Sequence, residues 1–399
     1  MKMNNHLPAK PWWPYTCILW QLLVIFSPLS IQAQSNILIG TEHKIQSRIL
    51  GEERRYAVNL PESYERDDFY LQKKYPVLIL LDAGTHFQSA SGIIHYMGWN
   101  EQIPEMIVVG IFNTDRTRDL SPTKLQALAS SGGGANFLRF IETELLPQID
   151  KDYRTLPYRV LVGHSLAGLF TVDLFLNRSF FNAYLAIDPS LGWDDQIVVK
   201  KARTILSNTQ SFKSSLYLAQ ANNPFNEGKD AGTRGKSFQD FVASLAGNKS
   251  QGLRYSYAFF EKEDHFSVPL LSLYHGLTFI FEGYKFPLNT LAKSSAEDVR
   301  KHYQQLFQRL GVDLRPPGKL LDGVALYLLN NEKKIDQAIE LLKLNQEYYP
   351  RSFITYNSLA DAYKVKGNKE QAIINYRKSL AINPNNESAK RALKELAPD

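Results

Sequence analysis

The stretch Tyr158–Phe170, YRVLVGHSLAGLF, constrains the fold more than any other part of the chain. An apolar run, Val160 to Val162, stops at Gly163. Ser165 follows at once, then Leu166, the small pair Ala167 and Gly168, and a second apolar run. This spacing predicts a buried strand, a tight turn and the start of a helix. Such a turn lifts the serine hydroxyl above the sheet edge, and it closes only if its neighbours are small. The first backbone N–H groups of the new helix point the same way, at its positive end. A nucleophile beside such donors is what acyl transfer from an ester needs. The strict pattern is G-x-S-x-G; here Ala167 holds the fifth place and the glycine comes one later. Alanine is still small enough for the turn. The plainer reading is a strand–turn–helix whose serine merely caps the helix.

The chain has 399 residues, enough for two or three domains, and 44% of them are hydrophobic. That composition provides a large core and argues against global disorder. Net charge is +6, but the lysines and arginines are scattered rather than grouped. No zinc-finger or aromatic RNA-binding signature appears, so nucleic acid is a weak alternative and a solvated surface the main reading.

The amino end predicts a targeting segment. Lys2 and Lys10 precede the apolar run Cys17–Phe26, and small and polar residues lead to Ile31, Gln32 and Ala33. A cleavable leader over residues 1–33 is expected, with export to a periplasm-like space or outside the cell. The run is short for a membrane anchor. Cys17, the one cysteine, lacks the small residues that a lipoprotein signal places before it. A processed chain would have no cysteine, hence no disulfide, zinc–thiolate or cysteine nucleophile.

Between these features the pattern alternates strand and helix. His43–Leu60 predicts two antiparallel strands; Tyr75–Leu81 and Met106–Ile111 are continuous apolar runs, as strands covered on both faces should be. Further strands are expected at Ala183–Ile187, Ser215–Ala219 and Tyr255–Phe260, a helix at Phe137–Leu146, and a flexible link at Ser130–Gly134. The fold class that follows is α/β, a doubly wound, mostly parallel sheet. Ligands bind such sheets beyond the carboxyl ends of the strands, where Ala83, Ser165, Asp188 and the loop around Asn222 all fall.

A serine hydroxyl needs a base within hydrogen-bond reach. His265 follows the last strand within a few residues, the expected place for that base, while His275 lies inside the next helical pattern. The acid that holds the imidazole is expected at Asp188, which closes the strand ending AID; Glu227, in the loop after the next strand, is the alternative acid. Glu263 is a further candidate, and a Ser–His dyad stays open. For the oxyanion the backbone N–H groups of Leu166 and Ala83 are chosen, with Gly84 as substitute for the latter. The Arg116–Asp119 loop either shapes the pocket or is a salt-linked structural loop.

Beyond Tyr284 the composition changes. Ser295–Gly311 predicts a helix with Ser295 as N-cap and Gly311 as stop, and Arg315-Pro316-Pro317-Gly318 is a joint. DQAIELL from Asp336 is echoed by EQAIINY from Glu370, and Pro350 by Pro384. Each step is 34 residues (370 − 336 and 384 − 350), the tetratricopeptide period. The second copy matches that repeat through Tyr356, Leu359, Ala360, Tyr363, Gly367, Ala372, Tyr376 and Pro384, and a last helix over Glu387–Leu396 would cap the stack. Two repeats are few for independent stability, so the region is expected to lean on the sheet domain.

With these residues assembled, the chain resembles the "putative esterase" family of α/β-hydrolases, over about His43–Tyr284. The segments that carry the likeness are YPVLILLDAGTHF from Tyr75, NTDRTRDLSP from Asn113, GHSLAG from Gly163, AIDPSLGW from Ala186 and DHFSVPLLSLYHGLTFIF from Asp264. The ferric-enterochelin-esterase-like branch is most similar, especially exported members with tetratricopeptide repeats. The resemblance implies Ser165 as nucleophile and His265 as base, and leaves the acid open. Where related chains often carry two tryptophans, this one has Gly192-Trp193. The expected organisation is a leader (1–33), an α/β-hydrolase esterase domain (34–290), a helix and linker (291–318) and a repeat region (319–399). The expected activity is hydrolysis of a siderophore, carbohydrate or small acyl ester without metal or organic cofactor. An acyltransferase with the same residues, or a binding scaffold working through the repeats toward a protein partner, are the rivals.

Overall fold

The computed structural model describes residues 37–65, 73–208, 211–222, 229–248 and 252–397. The expected leader and the alternative acid Glu227 lie outside the described residues. From Ile39 onward the chain forms one unit.

Eight strands build one sheet: β1 (Thr41–Ser47), β2 (Glu52–Asn59), β3 (Tyr75–Leu80), β4 (Ile107–Ile111), β5 (Thr155–His164), β6 (Ala183–Ile187), β7 (Ser215–Ala221) and β8 (Arg254–Phe260). Their order is β1-β2-β4-β3-β5-β6-β7-β8. β1 and β2 are the expected antiparallel hairpin, and β2 joins β4 antiparallel. From β4 to β8 all neighbours are parallel. Every residue of β3, β4 and β6 is buried, which explains why their sequences are apolar without alternation.

The helices used below are α1 (Ala83–Trp99), α2 (Leu166–Leu176), α3 (Trp193–Asn208), α4 (Val268–Ile280), α5 (Ala296–Leu310), α6 (Gly318–Asn330), α7 (Ile335–Tyr348), α8 (Phe353–Val365), α9 (Lys369–Ile382) and α10 (Glu387–Leu396). The expected helix at Phe137–Leu146 is longer. It runs from Gly134 to Asp152 and contains a π-turn at Ile141–Leu145. The Ser130–Gly134 segment is not the loose link that its glycines suggest. Ser131 is buried, Gly133 N donates to Arg118 O at 2.9 Å, and Gly134 N to Ser121 O at 3.1 Å. A Cβ on Gly133 would sit 2.7 Å from Arg118 Cγ, so these glycines permit close packing rather than motion.

α5 starts as its sequence dictates. Ser295 and Asp298 form a reciprocal capping box, and Gly311 ends the helix with φ 69°. α7 and α9 begin 34 residues apart (369 − 335), matching the sequence echo. Their apolar faces do not form a separate core. One buried cluster runs from Leu78, Val160 and Tyr217 under the sheet through Phe281, Tyr303 and Leu321 to Ala372 and Ala389.

A cleft of about 490 Å³ lies where this helical region meets the loop after α1, lined by Glu101 and Asp322 among others. Burial pushes the Glu101 carboxyl up to about 7, against the opposing pull of Lys319 and the N–H groups that start α6. Burial likewise raises Asp322 to about 6, against hydrogen bonds from Asn345 and Thr355. Both acids are easier to protonate in the folded chain than in the unfolded one. Their stabilising contribution is therefore complete at low pH and lost as pH rises through about 6 and about 7. The Tm should fall between about pH 4 and pH 7, and Glu101→Gln should flatten that fall. An unchanged slope in calorimetric scans of the variant would remove Glu101 from the explanation.

Candidate active site

β5 ends at His164, and Ser165 turns the chain into α2 with φ 60° and ψ −117°. A non-glycine residue there is strained by roughly 1–3 kcal/mol, and neighbouring backbone bonds hold it. Ser165 N donates to Ile187 O at 2.9 Å, and Ser190 N to Ser165 O at 3.1 Å. The flanking glycines are steric necessities. A Cβ on Gly163 would lie 2.2 Å from Ala167 O, and one on Gly168 2.9 Å from Ile187 O. Ala167 itself is fully buried and fits where the pattern usually has glycine. Gly163→Ala should therefore cost about 3 kcal/mol. A drop in Tm of roughly 4 °C would be its signature in a thermal melt; a melt unchanged from the parent would mean that the turn relaxes freely.

Strand register sets the acid. His164 pairs with Ile187 across β5 and β6, so Ser165 and Asp188 leave adjacent strands at the same level. Asp188 also has positive φ, 43°, and its side chain is fully buried. Its Oδ1 accepts from Ala221 N at 3.0 Å, and its Oδ2 lies 2.5 Å from His265 Nδ1. Two of the expected residues, 77 positions apart in sequence, are thus in contact.

His265 reaches Asp188 from beyond β8 because its loop is tied down. Asp264 Oδ1 accepts from Phe266 N at 2.8 Å and Ser267 N at 2.9 Å, and Asp264 N donates to Ser267 Oγ at 3.0 Å. Those backbone bonds hold the Asp264 carboxyl below its ordinary range. Asn222, at the end of β7, ties the other side: its N–H donates to Phe260 O and Glu263 O, both at 3.1 Å. Asn222 thus supports the histidine loop. Glu263 contributes this carbonyl, while the carboxylate bonded to the His265 ring is that of Asp188. His275 lies on α4 against Phe260, away from this group.

Ser165 Oγ has its hydrogen-bond contact with Ser190 Oγ, at 3.5 Å, rather than with His265. Ser190 was not anticipated from the sequence; its position two residues after Asp188 was the available signal. The candidate oxyanion donors occupy equivalent positions. Ala83 and Leu166 are the first residues of α1 and α2, which follow the paired parallel strands β3 and β5. N–H groups at these positions have no acceptor inside their own helix.

Two further histidines stand beside this group. His164 is buried, its ring centroid 4.4 Å from that of His265 and 5.4 Å from that of His86. Its Nε2 is buried without a hydrogen-bond partner among the described residues. Burial, with the neighbouring His265 and His86, lowers its pKa to about 4, so the ring is neutral at physiological pH. One donor atom each from His164, Asp188 and His265 lies within 4.8 Å of the others.

The Arg116–Asp119 loop is salt-linked. Arg54 meets Asp119 at 2.6 Å with both side chains buried, and Arg118 bridges Asp119 at 2.7 Å and Glu52 at 2.5 Å. Arg116 instead clasps Asp82, the residue before Ala83, through two bonds of 2.8 Å, and holds that carboxyl below its ordinary range despite burial. Trp193 Nε1 donates to Thr123 Oγ1 at 3.1 Å, so this tryptophan is anchored.

This sheet, with its helices and a serine turn above its carboxyl edge, is an α/β-hydrolase fold, followed by an all-helical region. Residues 47–181 match the family described as "Putative esterase", and the chain is a hydrolase acting on ester bonds. Among curated proteins it is similar to the ferri-bacillibactin esterase BesA of Bacillus subtilis (strain 168), 29% identical over 49% of this chain and 74% of that one. It is 30% identical to the apo-salmochelin esterase of Escherichia coli O6:H1, over 30% of this chain and 42% of the relative. Among solved structures, an IroE-like serine hydrolase from Shewanella oneidensis superposes with TM-score 0.68 and 28% identity, covering 77% of this chain and 99% of the other. No described helix is long and apolar enough to cross a membrane.

Proposed function

We propose that the chain is an exported serine esterase that cleaves a carboxylic ester of a siderophore through an acyl-enzyme on Ser165. The observation that carries this reading is the 2.5 Å contact between Asp188 and His265 Nδ1, beside a serine held in a strained turn. In this reading Ser165 Oγ leaves Ser190 Oγ and attacks the ester carbonyl while His265 Nε2 takes its proton. Asp188 fixes the tautomer and offsets the imidazolium charge. The N–H groups of Leu166 and Ala83 hold the oxyanion, and Arg116 steadies Ala83 through Asp82. His265 then protonates the leaving alcohol, and water releases the acyl group.

The substrate class rests on the relatives, whose names record siderophore esters. Phe266, beside His265 and 85% exposed, provides an apolar face at the site. The helical region, read as tetratricopeptide repeats, would carry a protein contact outside the chemistry. Export rests on the sequence pattern of residues 1–33 alone.

The test is hydrolysis by the purified chain of bacillibactin, salmochelin, feruloylated and acetylated sugars, and short acyl esters, with products resolved by mass. Siderophore esters should be cleaved with kcat/KM at least about tenfold above the others, a difference of about 1.4 kcal/mol in transition-state binding. Preference for a sugar ester would replace the substrate class. Acyl transfer to an added alcohol in place of hydrolysis would favour the acyltransferase.

A further inference from the structure

We propose that His164, Asp188 and His265 form a binding site for a borderline divalent cation of the zinc class, and that the bound ion switches ester cleavage off. Three observations converge on it. The donor atoms already lie within 4.8 Å of one another. His164 and Asp188 are buried, so the donors sit on fixed elements at the ends of β5 and β6 rather than on mobile surface chains. The Nε2 of His164 is buried with no hydrogen-bond partner among the described residues, an arrangement that costs free energy unless a ligand relieves it.

The donor set selects the ion. Two imidazole nitrogens and one carboxylate oxygen suit zinc, cobalt, nickel or copper, whereas magnesium and calcium take oxygen ligands. Zinc bonds of about 2.1 Å to each donor in a tetrahedron separate the donors by roughly 3.4 Å. The widest present gap, at most 4.8 Å, must close by no more than roughly 1.4 Å, and the 2.5 Å Asp188–His265 pair must open by roughly 0.9 Å. Ring rotations and carboxylate movement on that scale need no change of fold. The fourth position stays open for water.

The chemical consequence follows from proton bookkeeping on one ring. With Asp188 as acceptor, neutral His265 carries its proton on Nδ1 and leaves Nε2 free to accept. When a cation binds Nδ1, the Nδ1–H bond breaks, its electron pair goes to the cation, and the proton moves to the Nε2 lone pair. No proton is lost or gained, but the ring can no longer accept one from Ser165. The inhibitory half of this proposal rests on the proposed role of His265; cation binding does not.

The experiment uses the full chain freed of metal by chelator dialysis, with Zn²⁺ and Co²⁺ alone as probes. Equilibrium dialysis should give one Zn²⁺ per chain, Co²⁺ should show the visible band of a four-coordinate site, and Ser165→Ala should bind both like the parent. His164→Phe should weaken binding by about 100-fold or more. Equal affinity in that variant, or no binding by the parent at 100-fold excess Zn²⁺, would overturn the site. A variant-free check guards against misfolding: one equivalent of Zn²⁺ should abolish the downfield proton resonance of the His265–Asp188 hydrogen bond. Its persistence would likewise overturn the site. Cation binding with undiminished ester hydrolysis would overturn the switch. Cation binding in a chain inactive on every ester would keep the site and defeat the esterase reading instead.

Discussion

Ser165→Ala should lower kcat/KM for any cleaved ester by about 10⁶-fold, close to the loss on removing the nucleophile from other serine hydrolases. That corresponds to roughly 8 kcal/mol of transition-state stabilisation. The loss should fall on kcat, because the hydroxyl makes its bond only as the reaction proceeds. The fold should survive. Ser165 Oγ is held by one long contact to Ser190, and the turn is fixed by backbone bonds that alanine keeps. Backbone strain supplies an internal control. Both serine and alanine are disfavoured at φ 60°, whereas glycine is not. Ser165→Gly should therefore be inactive yet melt above Ser165→Ala, by about 1 kcal/mol in stability. A Ser165→Ala protein retaining more than about a hundredth of the parental rate would mean that another group attacks the ester.

Asp188→Asn should lower kcat by about 10⁴-fold with little change in KM. The hydrogen bonds dictate why. Asp188 Oδ1 accepts from Ala221 N, so the amide oxygen of an asparagine would stay there. Its NH₂ would then face His265 Nδ1, where a donor stands in place of the acceptor. The ring would have to present a lone pair on Nδ1 and carry its proton on Nε2. That tautomer cannot take the serine proton. Because Ala221 N keeps its partner, the cost in stability should be small. Asp188→Ala removes that acceptor as well and should melt lower than Asp188→Asn. Rate and melting measurements on the two variants separate tautomer control from structural support. A loss of less than about tenfold in the asparagine variant would return the site to a Ser–His dyad.

Much of this site was legible because local sequence and position agree. The small residues around Ser165 can serve only a tight turn, and the apolar runs of β3, β4 and β6 can serve only buried strands. Asp188 was readable because it closes a strand, and strand ends share an edge. What stayed hidden depends on contacts between distant residues. Nothing in GHSLAG says that His164 would pack against a histidine 101 positions later (265 − 164) with one nitrogen unpaired. Nothing in the sequence around Asn222 says that its N–H would bond to the His265 loop. The glycines at 132–134 read as slack because a sequence does not show which backbone will press against them. The continuity of the helical region with the sheet's core was expected only in outline; which residues join it, from Phe281 to Ala389, is a tertiary fact.

The most direct measurement is labelling of the purified full chain with a fluorophosphonate probe, followed by peptide mass spectrometry. An activated serine reacts with such a probe; an ordinary capping serine does not. One label per chain is predicted, on the peptide containing Ser165, and none in Ser165→Ala. Equal labelling of that variant, or a label on a different serine in the parent, would contradict the assignment of Ser165 as nucleophile.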